Sequence, residues 1–180
     1  RDCLLSRGLG DVYKRQVERK QLMKTPLLLA CASAAVLTFS TLCKAQEMKK
    51  APIDTIFEQG EINPYGKFFT GQTYLTMLNT NDELFNAPIG NVTFEPGART
   101  NWHKHSGGQI LLVLAGEGRY QERGQNIHTL KKGDVVRIAP DIEHWHGAAP
   151  DSWFTHISLE TNLPDNKATW LEPVTDEEYK

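Results

Sequence analysis

Residues 97–116 read Gly97-Ala98-Arg99-Thr100-Asn101-Trp102-His103-Lys104-His105-Ser106-Gly107-Gly108-Gln109-Ile110-Leu111-Leu112-Val113-Leu114-Ala115-Gly116. His103 and His105 stand two apart, so on a strand they share one face. Ser106, Gly107 and Gly108 can turn the chain back on itself. Gln109 then leads into Ile110–Ala115, a short apolar run of β type. His144-Trp145-His146 repeats the one-apart spacing farther along. Imidazoles gathered with same-face spacing in a small domain point to one metal site built inside a β barrel.

Outward from this stretch the chain is punctuated by turns at short intervals. Glu95-Pro96-Gly97-Ala98, Gly116-Glu117-Gly118, Gly124-Gln125-Asn126 and Lys131-Lys132-Gly133-Asp134 all read as turns, the third as a hairpin tip. Between them the pattern predicts strands over 68–70, 73–78, 91–94, 99–103, 109–115, 119–121, 127–130, 135–138, 144–147 and 153–159. No long helical period intervenes, so the expected class is all-β, a sandwich or barrel. Only the tail reads as helical, because Thr175-Asp176-Glu177-Glu178 has the form of a capping box.

The first 66 residues are expected to lie outside this domain. Ser6–Gln16 looks like the in-frame translation of a transposon-end sequencing adapter, so residues 1–22 are set aside. Met23, Lys24, the uncharged run from Pro26 to Leu42 and the small residues before Gln46 read as a secretory signal peptide over 23–45. That run is shorter than a membrane span needs. A lipobox-like Leu28-Leu29-Ala30-Cys31 offers a lipoprotein alternative. Residues 46–66 read as a loose, polar leader, and 67–180 as the folded domain.

Cys3, Cys31 and Cys43 all fall before the expected cleavage point, so the mature chain has no cysteine. Disulfides, thiolate metal sites and a cysteine nucleophile are excluded there. From Gln46 onward 12 Lys and Arg face 19 Asp and Glu, a formal charge of −7. An acidic domain without a basic patch is a poor match for nucleic acid. The expected partner is a small molecule, in a secreted or periplasmic protein that stays off the membrane once the signal is cleaved.

The spacing Gly97-x5-His103-x-His105-x3-Gln109-x6-Gly116 resembles the first motif of the cupin superfamily, with Gln109 where Glu is usual. Gly133-Asp134-x9-His144 resembles the second motif, with Ala139, Asp141 and Ala148 where Pro, Gly and Asn are common. The resemblance implies a double-stranded β-helix, or jelly-roll barrel, with a short C-terminal helix. It also implies that His103, His105, Gln109 and His144 bind a metal. The residues read alone agree in part, since His103 and His105 share a face and Gln109 on the neighbouring strand can reach the same interior.

Three neutral imidazoles and one neutral amide would leave a divalent ion's charge uncompensated. That favours polarising a hydroxyl, carbonyl or nitrile over activating oxygen. The ligand set of 2-His-1-carboxylate oxygenases is absent. Mn2+ suits N/O ligands with open positions; Fe2+, Co2+, Ni2+ and Zn2+ remain alternatives.

Val92–Thr100, His144–Pro150, Thr155-His156 and Val174–Tyr179 resemble the small manganese cupins that act as hydroxynitrile lyases. In that group the resemblance implies that the cyanohydrin hydroxyl meets the metal while nearby histidines move protons. His146 and His156 match those histidines. A Gln is usual four residues after the second, where this chain has Glu160, so the catalytic residues expected are His146, His156 and Glu160. The resemblance implies dimers or higher oligomers. Cupins associated with carboxymuconolactone decarboxylase are also similar. Two other readings stay open, a non-catalytic metal or ligand-binding cupin and a cupin dioxygenase or decarboxylase. His128, in a hairpin, is expected to face solvent.

Overall fold

The computed structural model describes residues 49–180 apart from Glu83. The adapter and signal-peptide expectations, and residues 46–48 of the leader, lie outside the described residues. Twelve strands are present among those described: β1 Glu61–Ile62, β2 Phe69–Thr70, β3 Thr73–Asn79, β4 Ile89–Phe94, β5 Arg99–Thr100, β6 His103–His105, β7 Gln109–Glu122, β8 His128–Lys131, β9 Val135–Ile138, β10 His144–Ala148, β11 Phe154–Glu160 and β12 Ala168–Trp170. A four-residue helix, α1, covers Asp176–Tyr179. The all-β expectation and the single C-terminal helix both hold.

Pairing runs β1-β3-β4-β11-β7-β10-β5-β2, with β8 and β9 added on β7 and β12 reaching β10 through β6. All of these pairings are antiparallel, and the sheet curls into two facing layers. The strand that joins them is β7. Its first half, Gln109–Gly116, pairs with β11 and its opening residues with β9; its second half, Glu117–Glu122, pairs with β8 and β10.

This corrects the reading of Gly116-Glu117-Gly118 as a tight turn. The strand continues through it for 14 residues. Gly116 has φ +75°, and a Cβ there would collide with the Trp153 carbonyl oxygen, while a Cβ on Gly118 would enter the Phe154 ring. The glycines bend the strand and allow close packing where β7 passes between layers. A second correction concerns 99–103. Two short strands, β5 and β6, flank Asn101-Trp102, and Asn101 turns its backbone carbonyl to the ring of His103.

The described part of the leader is laid against the domain. Glu61 and Ile62 pair with Leu75 and Tyr74 on β3. The Glu58 carbonyl accepts from Asn91 Nδ2 at 2.9 Å and Thr76 Oγ1 at 3.1 Å. Behind it, on the outer face of the sheet, the hydroxyls of Thr93 and Thr155 pair at 3.0 Å.

The main core lies between the layers and includes Phe94, Leu111, Val113, Tyr120, Ile138 and Phe154. A second cluster sets Trp102 and Trp145 against Val174 and Tyr179 at the C-terminus. The capping box of α1 forms as the sequence predicts: Thr175 Oγ1 accepts from Glu178 N, and the Glu178 carboxylate accepts from Thr175 N. Tyr179 is held by its hydroxyl on the Ala148 carbonyl and by Arg99 stacked over its ring. The tail thus packs over Trp145, which alternates with His144 and His146 along β10 and so faces away from them.

Candidate metal centre and substrate cavity

Strands β6, β7, β10 and β11 turn eight polar residues, His103, His105, Gln109, His144, His146, His156, Ser158 and Glu160, toward one interior space. His103 on β6 pairs directly with His144 on β10, their ring centroids 4.1 Å apart. On β12, Trp170 pairs with His103 from the other side and stacks on it at 4.6 Å. Gln109 opens β7, and its register partner on β11 is Glu160. The alternation of β11 brings His156, Ser158 and Glu160 to the cavity wall. The cavity measures about 440 Å³. Its polar lining includes His103, His105, Gln109, His146 and His156, and its apolar lining Phe69, Leu75, Met77 and Trp170. His128 is exposed on β8, far from this use, as expected.

Two histidines are fixed by backbone carbonyls. His103 Nδ1 lies 3.0 Å from Asn101 O, and His144 Nδ1 lies 2.9 Å from Ile142 O. A carbonyl only accepts, so each Nδ1 carries the proton and each Nε2 presents a lone pair. His144 Nε2 lies 3.1 Å from Gln109 Oε1 in the amide orientation in which Gln109 Nε2 donates to Ser158 Oγ at 2.9 Å. Two acceptors therefore face each other at a buried position with no proton between them. A cation placed against both removes that conflict.

One ring nitrogen from each of His103, His144 and His146 lies within 4.8 Å of the others. His105 is outside that group, with its ring 5.3 Å from His103 and 6.0 Å from His144, centroid to centroid. It is nonetheless buried, and neither of its ring nitrogens has a hydrogen-bond partner. An imidazole buried with both nitrogens unpaired is costly unless something binds it. The donor set thus fits a divalent metal in number and in chemistry.

His146 and His156 are arranged differently. His156 Nε2 lies 3.2 Å from His146 Nδ1, so one proton sits between two imidazoles. Phe94 covers both rings, at 5.9 Å and 5.5 Å. His146 is further fixed by its backbone N–H, which donates to Thr100 Oγ1 at 3.2 Å.

Burial keeps all five rings neutral at neutral pH. It pushes His105, His144 and His156 down to about 4, with the neighbouring His144 adding to the effect at His105. His103 and His146 are driven well below the ordinary histidine value, first by burial and then by the histidines around them. Neutral imidazole is the form that binds a metal. Burial also raises the Glu160 carboxyl. Its Oε1 is 3.7 Å from His105 Nδ1. That is ion-pair range, but His105 is uncharged at neutral pH, so the contact is not a salt bridge.

Three contributors escaped the sequence reading. Ser158 orients Gln109, and Phe94 covers the histidine pair. Both lie on strands whose alternation was readable. Trp170, on β12, carried no local strand pattern to mark it.

Residues 90–153 match the family described as Cupin domain. Over 105 residues the chain is 46% identical to an (R)-mandelonitrile lyase of Granulicella tundricola, a match covering 55% of this chain and 80% of that protein. The chain belongs to the cupin family. This cupin is also 52% identical to a cupin-like protein of Thermotoga maritima whose crystal structure superposes with TM-score 0.67, over 70% of this chain and 95% of that one. A predicted oxalate decarboxylase of the same organism, 22% identical, matches with TM-score 0.52 over 57% of this chain and 91% of its own; it shares the fold. The double-stranded β-helix expected from the motifs is therefore the fold of this cupin.

Proposed function

We propose that this cupin is a Mn2+-dependent lyase that cleaves a small cyanohydrin into a carbonyl compound and hydrogen cyanide. The convergence of His144 Nε2 and Gln109 Oε1 on one point carries this reading. Similarity to a mandelonitrile lyase supports the choice of reaction.

His103, His105, Gln109 and His144 would hold the ion, all through neutral donors. When bound, a divalent ion supplies Lewis acidity that lowers the pKa of a substrate hydroxyl. His146 takes the hydroxyl proton at Nε2 when its Nδ1 proton faces His156. The pair then shares the added charge across 3.2 Å, and the proton can pass on to His156 Nε2. As the carbonyl forms, the bond between carbinol carbon and nitrile breaks. Its electron pair leaves with cyanide, which recovers a proton to give hydrogen cyanide. Phe69, Leu75 and Trp170 offer an apolar wall to the substituent on the carbinol carbon.

Elemental analysis of the purified protein, followed by an assay of aldehyde release from mandelonitrile, tests the proposal. One bound divalent ion and metal-dependent release are expected. Metal-loaded protein that cleaves neither aromatic nor aliphatic cyanohydrins would overturn the lyase reading. Export to the periplasm or medium after cleavage near Ala45, and assembly as a homo-oligomer, belong to the same proposal. N-terminal sequencing and light scattering would test them.

A further inference from the structure

We propose that Glu160 is a positioning residue for the metal. Its carboxylate accepts the Nδ1 proton of His105, which leaves Nε2 as a donor to a divalent cation. This rests on the metal reading given above.

His103 and His144 each hand the Nδ1 proton to a backbone carbonyl. His105 has no such partner, and both its ring nitrogens are buried without a hydrogen bond. Its own carbonyl is already engaged by the N–H groups of Gly108 at 3.1 Å and Asp141 at 2.9 Å. The carboxylate 3.7 Å from Nδ1 is that of Glu160. Shortening that distance to a charge-assisted hydrogen bond of about 2.8 Å asks only for a small side-chain adjustment. The Glu160 side chain is 31% exposed and has room to make it.

Carboxylate–histidine–metal relays fix the ring, select the tautomer and raise the basicity of the ligand. The register adds a second reason. Glu160 lies directly across from Gln109 in the β7–β11 ladder. The negative charge that a glutamate at position 109 would bring to the ion is moved one strand over and delivered through His105. A neutral inner set with one outer carboxylate results.

Competition against a chromophoric chelator, with Mn2+ and with Zn2+, tests this on the full chain. Glu160→Ala is expected to weaken metal binding by about 10- to 100-fold, the usual range for an outer-shell partner. Glu160→Gln, which keeps an acceptor and loses the charge, should fall between Glu160→Ala and wild type. The double variant His105→Ala/Glu160→Ala should bind no more weakly than His105→Ala alone, because Glu160 acts through that ring. With Co2+ bound, the visible spectrum of Glu160→Gln should shift relative to wild type. Urea midpoints of the metal-free variants check that each remains folded. Glu160→Ala within twofold of wild type, Glu160→Gln as tight as wild type, or additive effects in the double variant would each overturn the proposal. His144→Ala separates the two ideas. If it keeps wild-type metal affinity, the metal reading fails and this inference with it. If it loses metal while Glu160→Ala does not, only the role of Glu160 fails.

Discussion

Two pairs of histidines sit a few ångströms apart in this barrel, and they differ in what holds their second nitrogen. His103 and His144 are pinned to backbone carbonyls, which never change protonation. Each has one permanent tautomer and one permanent lone pair. His146 and His156 are pinned to each other, so either ring can own the proton between them. The same side chain, equally buried, presents a fixed lone pair in one setting and shares a proton in the other. The partner of the far nitrogen sets the role, and strand geometry sets the partner.

The largest effect should come from breaking the fixed pair. His144→Ala removes a lone pair and leaves Gln109 Oε1 without its counterpart. Metal content is expected to fall below about one-tenth of wild type, because losing a ligand costs more than the 10- to 100-fold of an outer partner. Elemental analysis reads this directly, and retention of full metal would erase the distinction between the pairs. His146→Ala should do the reverse. Metal stays, and cyanohydrin cleavage falls about 100-fold or more, as for loss of a general base. If the metal leaves with His146, that ring is a ligand, as its place within 4.8 Å of His103 and His144 permits, and the comparison breaks.

Acid should act on both pairs through one mechanism. The folded state holds His105, His144 and His156 at about 4, well under the ordinary value of about 6.5. Above 6.5 neither folded nor unfolded chain binds these protons, and the stabilisation is complete. Between 6.5 and 4 the unfolded chain takes them up and the folded chain does not, so stability is lost as pH falls. Each buried ring contributes a slope of up to about 1.4 kcal/mol per pH unit in that window. Urea midpoints of the metal-free protein between pH 4 and pH 8 should show the decline. A flat profile would mean that the histidines are not dry.

Much of this was legible in the sequence, and the omissions have physical causes. Period-two alternation placed His103 and His105 on one face, because the pleat leaves no other choice. Turn chemistry located the hairpin at Gly124 and the capping box at Thr175. Gly116 and Gly118 were misread as a turn because glycine serves both reversal and close passage. Only the Trp153 carbonyl and the Phe154 ring, distant in sequence, show which use applies. Trp170 reaches His103 through a pairing of β12 with β6 across more than sixty residues, and no local pattern encodes that. The partners of the Nδ1 atoms were also invisible, since they are backbone carbonyls whose direction depends on φ and ψ rather than residue type.

The smallest effect tests how firmly the fixed set is held. Gln109 presents Oε1 toward His144 only while its Nε2 donates to Ser158 Oγ. Ser158→Ala removes that acceptor and leaves the amide free to rotate, so that Nε2 can instead donate to the His144 lone pair. A rotated amide offers the metal no electron pair. The carboxamide must then pay for each return to the binding orientation, and metal affinity should fall about tenfold, at the low end for an outer partner. Ser158→Thr, which keeps the hydroxyl, should recover most of it. The same chelator titration measures both variants. Equal affinity in Ser158→Ala and wild type would mean that Gln109 is oriented by the metal rather than prepared for it.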